Sequence, residues 1–179
     1  KEAALQRENE AIAKAMMKEI DALPAQITLK DAKTVQALSE KLNRLTEAQQ
    51  ALVTNKDVLG AAAAMIAELE AEKAVNEAAA NAVIEVIAAL PEVITLEYAA
   101  EVEQAATAFE ALTAVQQTLV TNEAVLDEAK ATIQKLQAQK EANEAAAQAV
   151  VEEIAALPKD ITLQQAIAVE NVMTKWNAL

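Results

Sequence analysis

Apolar residues along this chain fall at steps of three and four, the period of a helix that buries one face. The first such stretch runs from Asn9 to Leu23 and carries Ile12, Met16, Ile20 and Leu23. Pro24 follows it. Proline lacks the N–H that would continue a helix and disfavours helical geometry in the residue before it, so a stop is expected there, and again at Pro91 and Pro158. A second helix carries Val35, Leu38, Leu42 and Leu45, the spacing of a bundle seam. Thr28 stands at its start as an N-cap, whose hydroxyl can satisfy a backbone N–H of the first turn. Asp31, three residues on, approximates a capping box. Thr162 with Gln165 matches that box better, whereas Thr95 is followed by Tyr98 and keeps only the cap. Thr46 with Gln49, and Thr113 with Gln116, are capping boxes for a short helical segment, about Glu47 to Val53 in the first case. Asn55 and Asn122 read as N-caps of a third, long helix. It carries Leu59, Ala62, Ile66 and Leu69, then Leu126, Ala129, Ile133 and Leu136.

These elements recur. Leu-Pro stands at 23–24, 90–91 and 157–158, an interval of 67 residues both times, and Asn-Glu at 9–10, 76–77 and 143–144 keeps the same interval. A fixed period marks a stacked or strung array. The expected organisation is a helix tail over 1–8, three-helix units over 9–75 and 76–142, and two helices of a third unit over 143–179. The fold class is therefore all-α: tandem antiparallel three-helix bundles.

The junctions between units are the informative part. No Gly or Pro lies between Ala61 and Leu90, nor from Asn122 to Leu157. The seam stays in phase through Leu69, Lys73, Asn76, Ala80 and Val83, and through Leu136, Lys140, Asn143, Ala147 and Val150. A helix whose seam stays in phase need not break, so the third helix of one unit is expected to continue as the first helix of the next. At about 1.5 Å per residue, a shared helix of about 35 residues would be roughly 50 Å long and would join the units into an elongated rod. Gly60 is the one weakening residue, expected in the first turn, where its cost is small. The apolar face of the incomplete third unit is expected to be covered by a neighbouring molecule, through self-association, or to be poorly ordered.

Composition narrows the chemistry. The chain has one Gly, three Pro, 54% apolar residues and only 2% aromatics, so its cores must be thin and aliphatic. A net charge of −13 disfavours binding to phosphate backbones, and no nucleic-acid partner is expected. No apolar run reaches the ~18 residues needed to cross a bilayer, so no membrane insertion is expected. His and Cys are absent. That removes zinc sites, thiol catalysis and disulfides. No calcium loop and no glycine-rich phosphate loop is present. No cofactor is expected. The chain opens on Lys1 without an initiator Met or a signal peptide, as a fragment would.

No constellation of catalytic residues stands out. Glu10, Glu77 and Glu144 recur at equivalent helix positions, as solvated or capping residues do, rather than as one acid–base pair in a cleft. Asn76 and Asn143 read as register-setting amides in the seam, and Lys73 and Lys140 as side chains lying along the bundle edge. One seam position is Leu42, Phe109 and Trp176 in successive units. It reads as core filler, with Trp176 the candidate contact residue because its unit is incomplete.

The second unit carries Ala89-Leu90-Pro91, Ile94-Thr95-Leu96, Val102, Phe109, Leu112, Leu119-Val120, Asn122, Leu126, Ala129, Ile133 and Leu136. In this it resembles an all-helical tandem repeat of large surface and S-layer-associated proteins of Gram-positive bacteria. The first unit departs from the pattern with Leu42 at the aromatic place. The resemblance implies a non-catalytic extracellular stalk or spacer, strung between an export signal and a cell-wall or S-layer anchor. The alternative is an adhesin-type module that docks a host or matrix protein through one helix face. The shared helices also resemble spectrin in form, although 67 residues is too short a period for a spectrin repeat.

Overall fold

The computed structural model describes residues 2–158 and 162–179, and only the backbone of Gln164. Lys1, at the start of the expected helix tail, and residues 159–161 of the third unit lie outside that range. Among the described residues there are eight α-helices and no strand. They are α1 (Glu2–Asp21), α2 (Ala32–Asn43), α3 (Glu47–Leu52), α4 (Lys56–Ala88), α5 (Ala99–Glu110), α6 (Ala114–Gln117), α7 (Glu123–Ala155) and α8 (Ala166–Trp176). The chain divides into two compact units, Lys1–Ala78 and Ala79–Leu179.

The first helix of each unit ends two residues before the expected leucine: α1 at Asp21, α4 at Ala88 and α7 at Ala155. The N–H of Leu23 donates to the carbonyl of Ile20 at 3.0 Å, and Leu90 does the same to Ile87 at 3.1 Å. This tighter i→i+3 bond closes the helix and leaves the residue before proline free to be non-helical.

The core of the first unit is built from three helical segments. Ala13, Met16 and Ile20 come from α1, Val35 and Leu38 from α2, and Leu59, Ala62 and Ile66 from α4, with Val53 closing one end. In the second unit the same positions supply Ala80, Val83 and Ile87 from α4, Val102 and Ala105 from α5, and Leu126, Ala129 and Ile133 from α7, with Val120 at the end; Ala106, at the place of Ser39, is added. Ile20 and Ile87 are both 0% exposed, so the period of 67 is a period of core packing as well as of sequence. Small residues at Ala13, Ala62, Ala80, Ala105 and Ala129 let the helices approach closely, which suits a core with few aromatics.

Helices α4 and α7 are each 33 residues long. Neither breaks at its polar stretch, Lys73–Asn76 or Lys140–Asn143. In α4 no residue between Ile66 and Ala80 is buried, and Glu70 to Val75 are exposed throughout. Gly60 is the fifth residue of α4, just past the first turn where it was expected.

The last part of the second unit is α8 packed on the end of α7. Its leading seam residue, Val150, is 4% exposed, but Ile154 is 43% exposed where Ile20 and Ile87 are sealed.

Candidate functional site

The threonines singled out by the sequence fall into two groups. Thr46 and Thr113 make the reciprocal box expected of them. The Thr46 N–H donates to Gln49 Oε1 at 3.0 Å, and the Gln49 N–H donates to Thr46 Oγ1 at 3.4 Å. Thr113 and Gln116 repeat this at 2.9 and 3.4 Å. Thr28, Thr95 and Thr162 stand before a different element. Each opens a short 3₁₀ turn, Leu29–Asp31, Leu96–Tyr98 and Leu163–Gln165, and the α-helix starts only after it. The Thr28 hydroxyl donates to Asp31 Oδ2 at 2.9 Å, beside the Thr28 N–H at 2.9 Å. Thr162 makes the same pair of bonds to Gln165 Oε1, at 2.8 Å from its N–H and 3.1 Å from its hydroxyl. A hydroxyl can donate and accept at once, and Thr28 with Asp31 and Thr162 with Gln165 form the expected capping boxes at the start of these turns. The backbone also closes the turn, with the Asp31 N–H donating to the Thr28 carbonyl at 2.9 Å. Thr95 has extended backbone and no side-chain cap bond.

Asn55 and Asn122 precede α4 and α7 as expected of caps, but their side-chain amides reach elsewhere. Asn55 Nδ2 donates to the carbonyl of Met17 at 3.0 Å and to Asp21 Oδ1 at 2.7 Å. Asn122 Nδ2 donates to the carbonyl of Ile84 at 3.0 Å. Asn122 makes no side-chain bond to its own helix. Met17 and Ile84 each lie four residues before the end of their helix. The asparagines therefore tie the start of one helix to the last turn of another within the same unit. The Oδ1 atoms of both are buried without a partner, the same cost repeated at equivalent positions.

A second tie was not read from the sequence. Gln50 Nε2 donates to the carbonyls of Leu42 and Leu45, both at 3.0 Å, and Gln117 Nε2 donates to the carbonyl of Phe109 at 3.2 Å. The Leu42 and Phe109 carbonyls already accept the N–H of Leu45 and Leu112, both at 3.1 Å, so these amides add a second bond at the helix end. Gln49 Nε2 also reaches Asn9 Oδ1 at 3.1 Å. The available signal was the recurrence of the pair Gln49-Gln50 as Gln116-Gln117.

Pro24, Pro91 and Pro158 each stand three residues past a helix end. At the junctions Asn76 is half-buried and Asn143 exposed. Lys73 pairs with Glu77 at 3.4 Å and Lys140 with Glu144 at 3.8 Å, both on the surface one turn apart. Leu42 and Phe109 are partly buried against their cores, whereas Trp176 is 58% exposed.

An ion pair between the first and second helices, Glu19 with Lys41, returns two periods later as Glu153 with Lys175. The intermediate unit has Ala108 where the lysine would be and pairs Glu110 with Lys130 at 3.9 Å instead.

No polar or charged residue among those described is buried, and no three of their carboxylates cluster as a metal site would require. No described helix is long and apolar enough to cross a membrane. Open apolar grooves recur beside the Leu-Pro turns. One of about 750 Å³ lies among Leu23, Pro24, Ile27, Val58 and Met65. Its counterpart of about 450 Å³ lies among Leu90, Pro91, Ile94, Val125 and Thr132. What these residues do collectively is end helices, start helices and hold neighbouring helices together. No family model, no curated protein and no solved structure matches the chain.

Proposed function

We propose that this chain is a spacer segment of an extracellular protein on a Gram-positive-type cell surface, built from tandem antiparallel three-helix units and without catalytic activity. The observation that carries the reading is the pair of unbroken helices. Residues of α4 enter one core at Leu59, Ala62 and Ile66 and another at Ala80, Val83 and Ile87, with an exposed stretch between them and no helix break. A continuous helix resists bending where a loop would act as a hinge, and arrays of this kind gain stability from each unit and its neighbour. The placement at a cell surface rests on the sequence resemblance alone. Small-angle X-ray scattering tests the spacer. A radius of gyration well above the ~16 Å expected of a compact chain of this length supports it, and a value near ~16 Å refutes it.

The recurring grooves beside the Leu-Pro turns favour a second reading, in which one helix face docks a host or matrix protein. Against it, the first groove is lined by Met65 and Ala61 where the second has Thr132 and Glu128, so the surface changes character between units. Charged substitution of Val58 and Val125, both 51% exposed, would abolish binding to any partner that uses this face.

A further inference from the structure

The α7–α8 hairpin presents an apolar face whose natural cover is legible inside the same chain. Moving back by 67 residues, Val150, Ile154, Val169, Val172 and Met173 correspond to Val83, Ile87, Val102, Ala105 and Ala106. All five of the latter are buried, at 5%, 0%, 3%, 0% and 4% exposure. In the hairpin, Ile154 is 43% and Met173 60% exposed, and Trp176, at the place of the half-buried Phe109, is 58% exposed. The hairpin side chains are also larger, since Val172, Met173 and Trp176 replace Ala105, Ala106 and Phe109. What seals the second core is the segment with Val120, Leu126, Ala129 and Ile133, and what seals the first is Val53, Leu59, Ala62 and Ile66. The hairpin keeps the same Glu–Lys pair across its two helices that the complete first unit has, so its two helices are joined as they are there.

We propose that this face is a receptor for one kind of partner: an amphipathic helix carrying the third-helix pattern, Val-x-Asn-x₃-Leu-x₂-Ala-x₃-Ile. A folded second copy of this chain does not meet that description. Both of its matching segments are already committed, with Leu59 2% and Leu126 2% exposed in their own cores. The occupant is therefore a segment of this pattern that is not already packed in a core of its own. It lies along α7 and α8, covers Ile154 and Trp176, and completes a third core equivalent to the other two. This inference does not depend on the spacer reading. A compact scattering profile would remove the spacer and leave the receptor untouched.

The chain has a single tryptophan, Trp176, at this face, so its emission reports occupancy directly. The probe is a synthetic peptide of residues 113–140, which contains no aromatic residue. Added to the full chain, it is expected to shift Trp176 emission to shorter wavelength and to saturate at one peptide per chain. A peptide with Leu126→Glu and Ile133→Glu should bind more weakly by about a hundred-fold or more, since burying unpaired charge is costly. Leu179 corresponds to Leu112, so the same segment fused directly after Leu179 continues the register and raises the effective concentration. A shift with the peptide or the fusion, absent from the double-Glu versions, supports the receptor. No shift in either form overturns it, and so does an equal shift with the double-Glu versions. A chain that sediments as a dimer with Trp176 already blue-shifted would also overturn it, and would assign the face to a second copy.

Discussion

The side-chain amide of Asn122 donates to the backbone carbonyl of Ile84 at 3.0 Å, across 38 residues of sequence. The bond joins the start of α7 to the last turn of α4, and Asn55 makes the equivalent bond to Met17. Replacing Asn122 by Ala removes this tie together with a buried, unpartnered Oδ1. The two effects oppose, so a net loss below about 1 kcal/mol, the usual worth of one hydrogen bond, is expected. Chemical denaturation of Asn122→Ala against the parent chain measures it. A variant as stable as the parent would mean that the tie contributes nothing net.

Gln50 donates to the carbonyl of Leu42 in the last turn of α2 and to that of Leu45 just beyond it. Gln50→Glu keeps the shape, removes the donor and sets a carboxylate against those oxygens. A loss of about 1–3 kcal/mol is expected, from the two lost bonds and the repulsion. Hydrogen exchange should quicken at the C-terminal end of α2 before it does elsewhere in that unit.

Ile87 and Ile154 share a position in the repeat but not an environment, at 0% and 43% exposure. Ile87→Ala leaves a cavity in a sealed core and should cost about 2–5 kcal/mol. Ile154→Ala should cost under about 1 kcal/mol, as changes at partly solvated sites do. Equal losses in denaturation would mean that the α7–α8 face is covered in solution.

Gly60 lies inside α4 with ordinary negative φ, and a Cβ added there would meet nothing within 4 Å. Gly60→Ala should therefore raise stability by about 0.5–1 kcal/mol, because alanine gives up less freedom in the unfolded chain. The midpoint of thermal unfolding is the measurement, and a fall would show that close approach at this site matters.

Ala74 sits in the exposed middle of α4, outside both cores. Ala74→Pro removes one helical hydrogen bond and forces a kink, at a local cost of about 3 kcal/mol. Both cores should survive, because neither draws on this stretch. The scattering profile should change while near-native helicity by circular dichroism is kept. An unchanged profile would mean that helix continuity does not set the chain's dimensions.

Sequence alone was enough for the helices, their repeat and the faces they bury. Ile20, Val35, Leu59 and their counterparts announce themselves because a helix turns every 3.6 residues and a buried stripe must follow that turn. The capping box at Thr46 is equally local, since both partners lie within one turn. The boxes at Thr28 and Thr162 were equally legible, but the 3₁₀ turn they open was not, since Thr95 opens the same turn with no side-chain cap bond. The partners of Asn55, Asn122 and Gln50 were decided only by tertiary structure. Their amides have donors to spare locally, and which carbonyl they meet is settled by how distant helices pack. The same holds for Ile154 and Trp176. Their pattern is that of core residues, and burial is a property of the neighbours that three-dimensional packing brings, or does not bring, against them.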